Sequence, residues 1–134
     1  MADHGNDDGA GSETVTAPRK KRGLAHALAA SRYSFQGFRR LMGEAAFRQE
    51  LLGYCLALVL FAVVGAEVSD YLIFTVLALS LFAIEALNTA IEEVVDRVSP
   101  EFSLAARHAK DLGSFAVFCL LVANGLWVLF VVLI

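Results

Sequence analysis

Three long apolar runs follow one another along the chain. Residues 51–66 and 112–134 carry no charged side chain, and residues 71–91 carry only one, Glu85. A helix that crosses a bilayer needs about 20 mostly apolar residues. The first run is short for a crossing, but the apolar residues 45–47 precede it closely. The pattern therefore predicts an all-α membrane protein with three transmembrane helices. The predicted spans are about residues 45–66, 70–95 and 111–134.

A different pattern precedes the first span. Over about residues 24–42, apolar and aromatic side chains alternate with basic and polar ones, as is typical of an amphipathic helix at a membrane surface. Residues 1–22 are polar, rich in glycine and end in the basic run Arg19–Arg22, so we expect a disordered tail there. The chain thus divides into this tail and a membrane domain of residues 23–134.

The connection between the second and third spans contains a helix signal of its own. Serine is a favoured N-cap, and proline is favoured at the first position of a helix. Ser99 and Pro100 stand in that order. They predict a short helix that runs to about Lys110, before the third span.

The composition supports the membrane class. The 134 residues are 57% hydrophobic and 19% charged, whereas soluble domains average about 45–50% and about 25%. The mean hydropathy is +0.61. A chain of this length cannot bury three such runs in one soluble core. These numbers argue against a soluble enzyme, and nothing in the net charge of −3 points to a nucleic-acid partner.

The basic residues predict an orientation. All 11 Lys and Arg residues lie outside the apolar runs, eight before the first run and three between the second and third. The short connection around residues 67–70 has none. Cytoplasmic loops of membrane proteins are enriched in Lys and Arg. We therefore expect a cytoplasmic N-terminus and a C-terminus on the opposite side of the membrane.

The polar residues inside the second span suggest chemistry. Glu85 lies two-thirds of the way along it, where a charge costs about 2.5 kcal/mol or more and is usually functional. Asn88 and Glu92 follow at three and seven residues, so helical periodicity places them on the same face. Asp96 continues the stripe. We expect this face to meet a metal ion, a proton or a cation from another helix.

Two further charged clusters fall at the same predicted boundary. Glu44 precedes the first span, where its i,i+4 spacing to Arg48 alternatively predicts a simple ion pair. Lys110 and Asp111 lie at the start of the third span, where a snorkelling lysine and a capping aspartate are the alternatives. Mg²⁺ commonly binds through one or two carboxylates and substrate phosphates. Taken together, the clusters predict a site for Mg²⁺ and a polyphosphate.

At these residues the chain resembles the prokaryotic diacylglycerol kinase family, from about residue 24 to the C-terminus. The resemblance rests on three motifs at matching separations: Glu44-Ala-Ala-Phe-Arg-Gln-Glu50, Glu85-Ala-Leu-Asn-Thr-Ala-Ile-Glu-Glu-Val-Val-Asp-Arg97 and Ala109-Lys-Asp-Leu-Gly-Ser114. The related undecaprenol kinases of Gram-positive bacteria share the core of the central motif. The other two motifs favour the diacylglycerol branch.

The resemblance implies a homotrimer of three-span subunits in the bacterial inner membrane, with active sites between subunits at the cytoplasmic face. The reaction it implies is transfer of the γ-phosphoryl group of ATP to the primary hydroxyl of diacylglycerol, with Mg²⁺ as cofactor and phosphatidic acid as product. The chain contains neither a P-loop nor a kinase glycine-rich loop, so the soluble ATP-binding architectures are excluded.

The resemblance also implies a role for each matching residue. Glu85 is the catalytic base, Asn88 is needed for activity, and Glu44 and Glu92 are the Mg²⁺ carboxylates. The implied ATP contacts are Tyr33, Glu44, Glu92, Asp96, Glu101, Lys110 and Asp111. The implied contacts with the lipid substrate are Arg39, Phe47, Arg48, Gln49, Glu50, Glu85 and Ser114.

Two other functions stay open at this point. A polyprenol kinase on the same scaffold would phosphorylate undecaprenol. A small proton-linked transporter or membrane assembly subunit would use Glu85 and Glu92 as a proton relay and would consume no ATP. Lipid selectivity separates the two kinases, and ATP consumption separates both of them from the transporter.

Overall fold

The computed structural model describes residues 24–101 and 103–134, so the tail predicted over residues 1–22 lies outside the described part. The described residues form helices and contain no strand. The helices are α1 (Leu24–Leu41), α2 (Ala45–Val64), α3 (Val68–Val98) and α4 (Leu104–Leu133). Of these, α2, α3 and α4 are long and apolar enough to cross a membrane. The predicted all-α architecture with three spans is confirmed, and the homotrimer stays a prediction.

The helix lengths explain where the polar residues lie. At 1.5 Å per residue, the 20 residues of α2 extend about 30 Å, the thickness of the hydrocarbon core. The 31 residues of α3 and the 30 of α4 extend about 45 Å each. A tight turn joins α2 to α3, so the extra length lies at the opposite end of the bundle, where α1 joins α2. We call this the α1 end.

The turn between α2 and α3 is determined locally. Gly65 has φ +77°, a left-handed conformation that glycine adopts without steric cost, and its N–H donates to the Phe61 carbonyl. Two residues later Glu67 begins the next helix, and its N–H donates to the Asp70 carboxylate at 3.0 Å. The turn is short because the C-cap of α2, Gly65, is followed two residues later by the N-cap of α3, Glu67.

The connection between α3 and α4 corrects one prediction, because Ser99 and Pro100 do not begin a helix. The α3 helix continues to Val98, and Ser99 is its C-cap. The next helix begins only at Leu104, where the Ser103 hydroxyl accepts a hydrogen bond from an N–H of the first turn at 3.1 Å. The prediction was wrong because two serines compete for the cap and Pro100, which lacks an N–H, follows the end of α3.

The late start of α4 determines where Lys110 and Asp111 lie. The α4 helix is continuous from Leu104 through the third predicted span. Lys110 and Asp111 therefore lie in its second turn and not between two helices. Their side chains are held on a rigid element that faces the end of α3.

Aromatic rings form a continuous contact between α2 and α3. Phe47, Tyr54 and Phe61 follow at intervals of seven residues and lie on one face of α2. Ring centroids are 5.2 Å apart for Phe47 and Phe82, and 6.0 Å apart for Tyr54 and Phe82. Phe74 of α3 lies 5.5 Å from Tyr54 and 5.2 Å from Phe61. Inside a bilayer, van der Waals packing of this kind replaces the hydrophobic effect as the source of helix association.

Hydrogen bonds from polar side chains link α4 to α3. Asn124 is buried and donates to the Leu77 carbonyl at 3.2 Å. Near the turn between α2 and α3, the Trp127 indole N–H donates to the Asp70 carbonyl at 3.2 Å. These bonds satisfy polar groups that lipid cannot. They keep α3 and α4 antiparallel, so that their extensions meet at the α1 end.

Candidate active site

The site begins with two polar residues buried in α3. Glu85 is 5% exposed and Asn88 is 8% exposed. One turn further along, Glu92 is half-buried and its Oε1 accepts a hydrogen bond from Asn88 Nδ2 at 3.0 Å. The three residues share one face of the helix, as their spacing predicts.

Carboxylates from two helices converge on Glu85. The charges of Glu92 and Glu44 both act on it, and its own charge acts on Glu50 of α2. Within the described residues, Glu50 Oε2 and Asn88 Oδ1 are buried without a hydrogen-bond partner. A buried polar oxygen without a partner costs about 1–3 kcal/mol. These two oxygens, one on α2 and one on α3, are therefore each suited to meet a cation or a hydroxyl group.

The position of Asn88 depends on a glycine in the neighbouring helix. A Cβ built on Gly113 of α4 would lie 2.1 Å from Asn88 Oδ1 and 3.2 Å from its Cγ. The first distance is far below any normal van der Waals contact, so no other residue fits at position 113 unless Asn88 moves. Gly113 thus permits the close approach of α3 and α4 that surrounds Asn88.

We expect Gly113→Ala to lower turnover about tenfold, since overpacking of about 1–3 kcal/mol would displace Asn88 from Glu92. The measurement is steady-state turnover in detergent micelles, with thermal unfolding of the same sample. Gly37→Ala is the matched control, because an added Cβ at Gly37, a glycine inside α1, meets nothing within 4 Å. Equal turnover in the two variants would contradict the role given to Gly113.

Glu44 is held by an arginine of α1. It stands at the N-cap of α2 but makes no side-chain cap bond. Instead its Oε1 accepts a hydrogen bond from Arg40 Nη1 at 2.5 Å, while Arg40 Nε donates to Glu93 Oε1 at 2.8 Å. The hydrogen bond to Glu44, and then that to Glu93, raise the pKa of Arg40 above its ordinary value. Arg40 therefore carries its charge throughout the working pH range.

This arrangement corrects the ion pair predicted between Glu44 and Arg48. The Arg48 guanidinium donates to the carbonyls of Met42 and Gly43, at 3.1 and 2.9 Å. Carbonyls near a helix end lack partners within the helix, and Arg48 supplies a partner for these. Arginines lie four residues before and four residues after Glu44, and the structure pairs Glu44 with the earlier one, Arg40.

A salt bridge between Lys110 and Asp96 joins the last turns of α3 to the first turns of α4. Lys110 Nζ donates to Asp96 Oδ1 at 2.5 Å, and Arg107 Nε lies 3.7 Å from Asp111 Oδ2. A cavity of about 400 Å³ adjoins these residues and is also lined by Glu101. The structure therefore brings together four of the residues predicted to contact ATP.

An apolar groove lies beside the carboxylates. It has a volume of about 540 Å³ and lies between α2, α3 and α4. Gln49 and Glu50 line it near the α1 end, and Asn124 lines it deeper in the bundle. Two of the predicted lipid contacts thus stand in a groove whose remaining wall is mostly apolar.

Several predicted contacts lie apart from this cluster. Tyr33 is 70% exposed and Arg39 is exposed, both on α1, and Ser114 is exposed on α4. Phe47 is 2% exposed and packs against Phe38 of α1, with ring centroids 5.9 Å apart. Its contacts are those of a packing residue. The ATP contact of Tyr33 and the lipid contacts of Arg39, Phe47 and Ser114 stay predictions.

The donor types near Asn88 fit Mg²⁺. Glu44 and Glu92 supply hard carboxylate oxygens, and Asn88, which donates from Nδ2 to Glu92, has an unpartnered Oδ1. In the part of the chain that the structure describes, no three His, Cys, Asp or Glu side chains converge into a complete metal site. Mg²⁺ suits such an incomplete set, because it completes its octahedron with water and substrate phosphates.

Comparison with known proteins gives one consistent result. The model of the family described as prokaryotic diacylglycerol kinase matches residues 32–132. A protein of a Sinorhizobium species named diacylglycerol kinase is 52% identical over 114 residues, which cover 85% of this chain and 83% of the relative. Proteins of the same name from Haemophilus influenzae and Pseudomonas aeruginosa are 34% and 44% identical, over 80% and 72% of this chain and 92% and 79% of their own lengths.

Proposed function

Because the chain belongs to the prokaryotic diacylglycerol kinase family, we propose that it transfers the γ-phosphoryl group of Mg-ATP to diacylglycerol at the cytoplasmic face of the inner membrane. The chain is an enzyme of the diacylglycerol kinase type with three helices that can cross a membrane. One observation carries the assignment of roles: Glu85 is a buried carboxylate within a membrane-spanning helix, two turns from Glu92.

The proposed base is Glu85. Along α3 it lies about 10 Å deeper than Glu92, on the side from which a lipid hydroxyl would arrive. Its carboxylate accepts the proton of the primary hydroxyl as that oxygen forms a bond to the γ-phosphorus. The bond from the γ-phosphorus to the β–γ bridging oxygen breaks in the same step, and ADP leaves. The products are ADP and phosphatidic acid, with the proton on Glu85.

The proposed nucleotide site lies closer to the membrane surface. Glu44 and Glu92 would hold Mg²⁺, which when bound neutralises charge on the β- and γ-phosphates. Lys110 would exchange Asp96 for a phosphate oxygen, since a lysine ammonium serves phosphate as a compact point charge. Asn88, bonded to Glu92, would keep that carboxylate oriented.

The proposed lipid site is the groove that begins at Gln49 and Glu50. Its apolar wall would accept an acyl chain, and its α1 end would bring the glycerol hydroxyl to Glu85. This direction of entry requires a cytoplasmic N-terminus and a periplasmic C-terminus, as the distribution of Lys and Arg predicts. We also propose a homotrimer, in which a neighbouring subunit completes each site.

A side-by-side lipid assay tests this function. The purified chain in mixed micelles with Mg²⁺ and γ-labelled ATP is given dioleoylglycerol, undecaprenol or neither. We expect labelled phosphatidic acid from dioleoylglycerol at a rate at least about tenfold above that with undecaprenol, since each factor of ten needs only about 1.4 kcal/mol of discrimination. Preference for undecaprenol would identify a polyprenol kinase. No consumption of ATP with either lipid would favour a transporter.

A further inference from the structure

A single guanidinium connects three elements at the α1 end. Arg40 belongs to α1, Glu44 is the N-cap of α2, and Glu93 lies in α3. Arg40 Nη1 and Nε donate to the two carboxylates at 2.5 and 2.8 Å, and Nη2 lies 2.6 Å from Glu93 Oε1. Two of the contacts therefore run from one arginine fork to one carboxylate on α3. This geometry suits a planar guanidinium and not an ammonium group.

The side chain of Glu44 has no other described anchor. An N-cap residue usually turns its side chain back onto the first N–H groups of its helix, but that of Glu44 makes no such bond. Its carboxylate points instead to Arg40, and Arg40 is in turn bonded to Glu93. Glu93 directly follows Glu92, the second carboxylate assigned to Mg²⁺. The distance between Glu44 and Glu92 is thus coupled to the Arg40–Glu93 bond.

We propose that Arg40 and Glu93 form a positioning pair that holds the Glu44 carboxylate beside the segment of α3 that carries Glu92. The inference rests on the proposed function, in which Glu44 and Glu92 hold Mg-ATP. Neither Arg40 nor Glu93 touches the reacting atoms. Their contribution is to assemble, before the metal arrives, two carboxylates that belong to different helices. The pair also fixes α1 against α3.

The metal requirement of the enzyme is the first readout. Arg40→Gln and Glu93→Gln are each expected to raise the Mg²⁺ concentration for half-maximal activity about fivefold, which is within the range of two exposed ion pairs. The double variant should be no worse than the worse single variant, because both remove the same pair. Arg40→Lys should fall between native and Arg40→Gln. Arg97→Gln, one turn beyond Glu93, removes the same charge and should leave the requirement unchanged.

The second readout is a distance, and it needs no turnover. Spin labels at Gln36→Cys on α1 and Ala90→Cys on α3, both exposed positions, report the separation of these helices. The background carries Cys55→Ala and Cys119→Ala, and labelled chains are diluted with unlabelled ones. We expect a narrow distance distribution in the native background, and a broader one with Arg40→Gln.

The two readouts separate this inference from the proposed function. A broader distribution together with a raised Mg²⁺ requirement supports the positioning pair. A broader distribution with an unchanged requirement overturns it, and so does an effect of Arg40→Gln no larger than that of Arg97→Gln. If Glu44→Gln and Glu92→Gln also leave the Mg²⁺ requirement unchanged, the metal assignment itself fails.

Discussion

Glu85→Gln is expected to lower turnover about 1,000-fold, the typical contribution of a general base. Glutamine has nearly the same shape as glutamate and still hydrogen-bonds, but it cannot accept the proton of the lipid hydroxyl. The burial of Glu85 in α3 means that water is poorly placed to act as a substitute base. Turnover of dioleoylglycerol in mixed micelles, at saturating Mg-ATP, is the measurement.

One control for this prediction keeps a carboxylate at position 85, and the other changes a different residue of the same helix. Glu85→Asp retains a carboxylate that is one methylene shorter, so we expect activity between those of the glutamine variant and the native chain. Ser80→Ala lies on the same helix, where the Ser80 hydroxyl donates only to the Val76 carbonyl in the described contacts. It should keep native turnover. Turnover of Glu85→Gln within about threefold of native, where general-base catalysis contributes at least 100-fold, would exclude Glu85 as the base.

Glu92→Gln is expected to raise the Mg²⁺ concentration for half-maximal activity about 100-fold or more. The change removes one of the two carboxylates assigned to the metal. Loss of a residue that only supports a metal ligand already costs about 10- to 100-fold in affinity, so loss of a ligand should cost at least as much. The glutamine amide also lacks the negative charge of the Glu92 carboxylate, which accepts a hydrogen bond from Asn88 Nδ2 at 3.0 Å. Titration of activity with Mg²⁺ at fixed ATP measures the effect, and Glu44→Gln should behave similarly.

Glu67→Gln provides the matched control, because Glu67 begins the same helix at the opposite end of the bundle. It removes the same charge by the same substitution, far from Glu92. We expect a native Mg²⁺ requirement in this variant. A shift as large as that of Glu92→Gln would mean that the metal requirement reports the net charge of the chain and not a site.

The three spans could be predicted because bilayer thickness sets the length of a crossing helix and leaves few alternatives. The turn at Gly65 follows from local chemistry in the same way. The start of α4 could not be predicted, since Ser99 and Ser103 offer the same hydroxyl to an adjacent helix. The choice between them depends on how far α3 continues.

The site was predictable only where one helix determines it. Glu85, Asn88 and Glu92 share a face because of helical periodicity alone. The partner of Glu44 was not predictable, since Arg40 and Arg48 lie at the same spacing on either side and the choice depends on the angle at which α1 meets α2. The contact of Gly113 with Asn88 likewise depends on how closely two helices approach, which no local pattern encodes.

In the proposed mechanism, acids at different depths have different tasks: Glu92 holds the metal and Glu85 accepts the proton, and this division of tasks can be measured. Binding of Mn²⁺ with a non-hydrolysable ATP analogue, followed by electron paramagnetic resonance of free Mn²⁺, tests it directly in the chains used for turnover. Glu85→Gln should bind the metal–nucleotide with near-native affinity while producing no phosphatidic acid, and Glu92→Gln should lose both. Glu85→Gln that turns over normally, or Glu92→Gln that binds normally, would contradict the account.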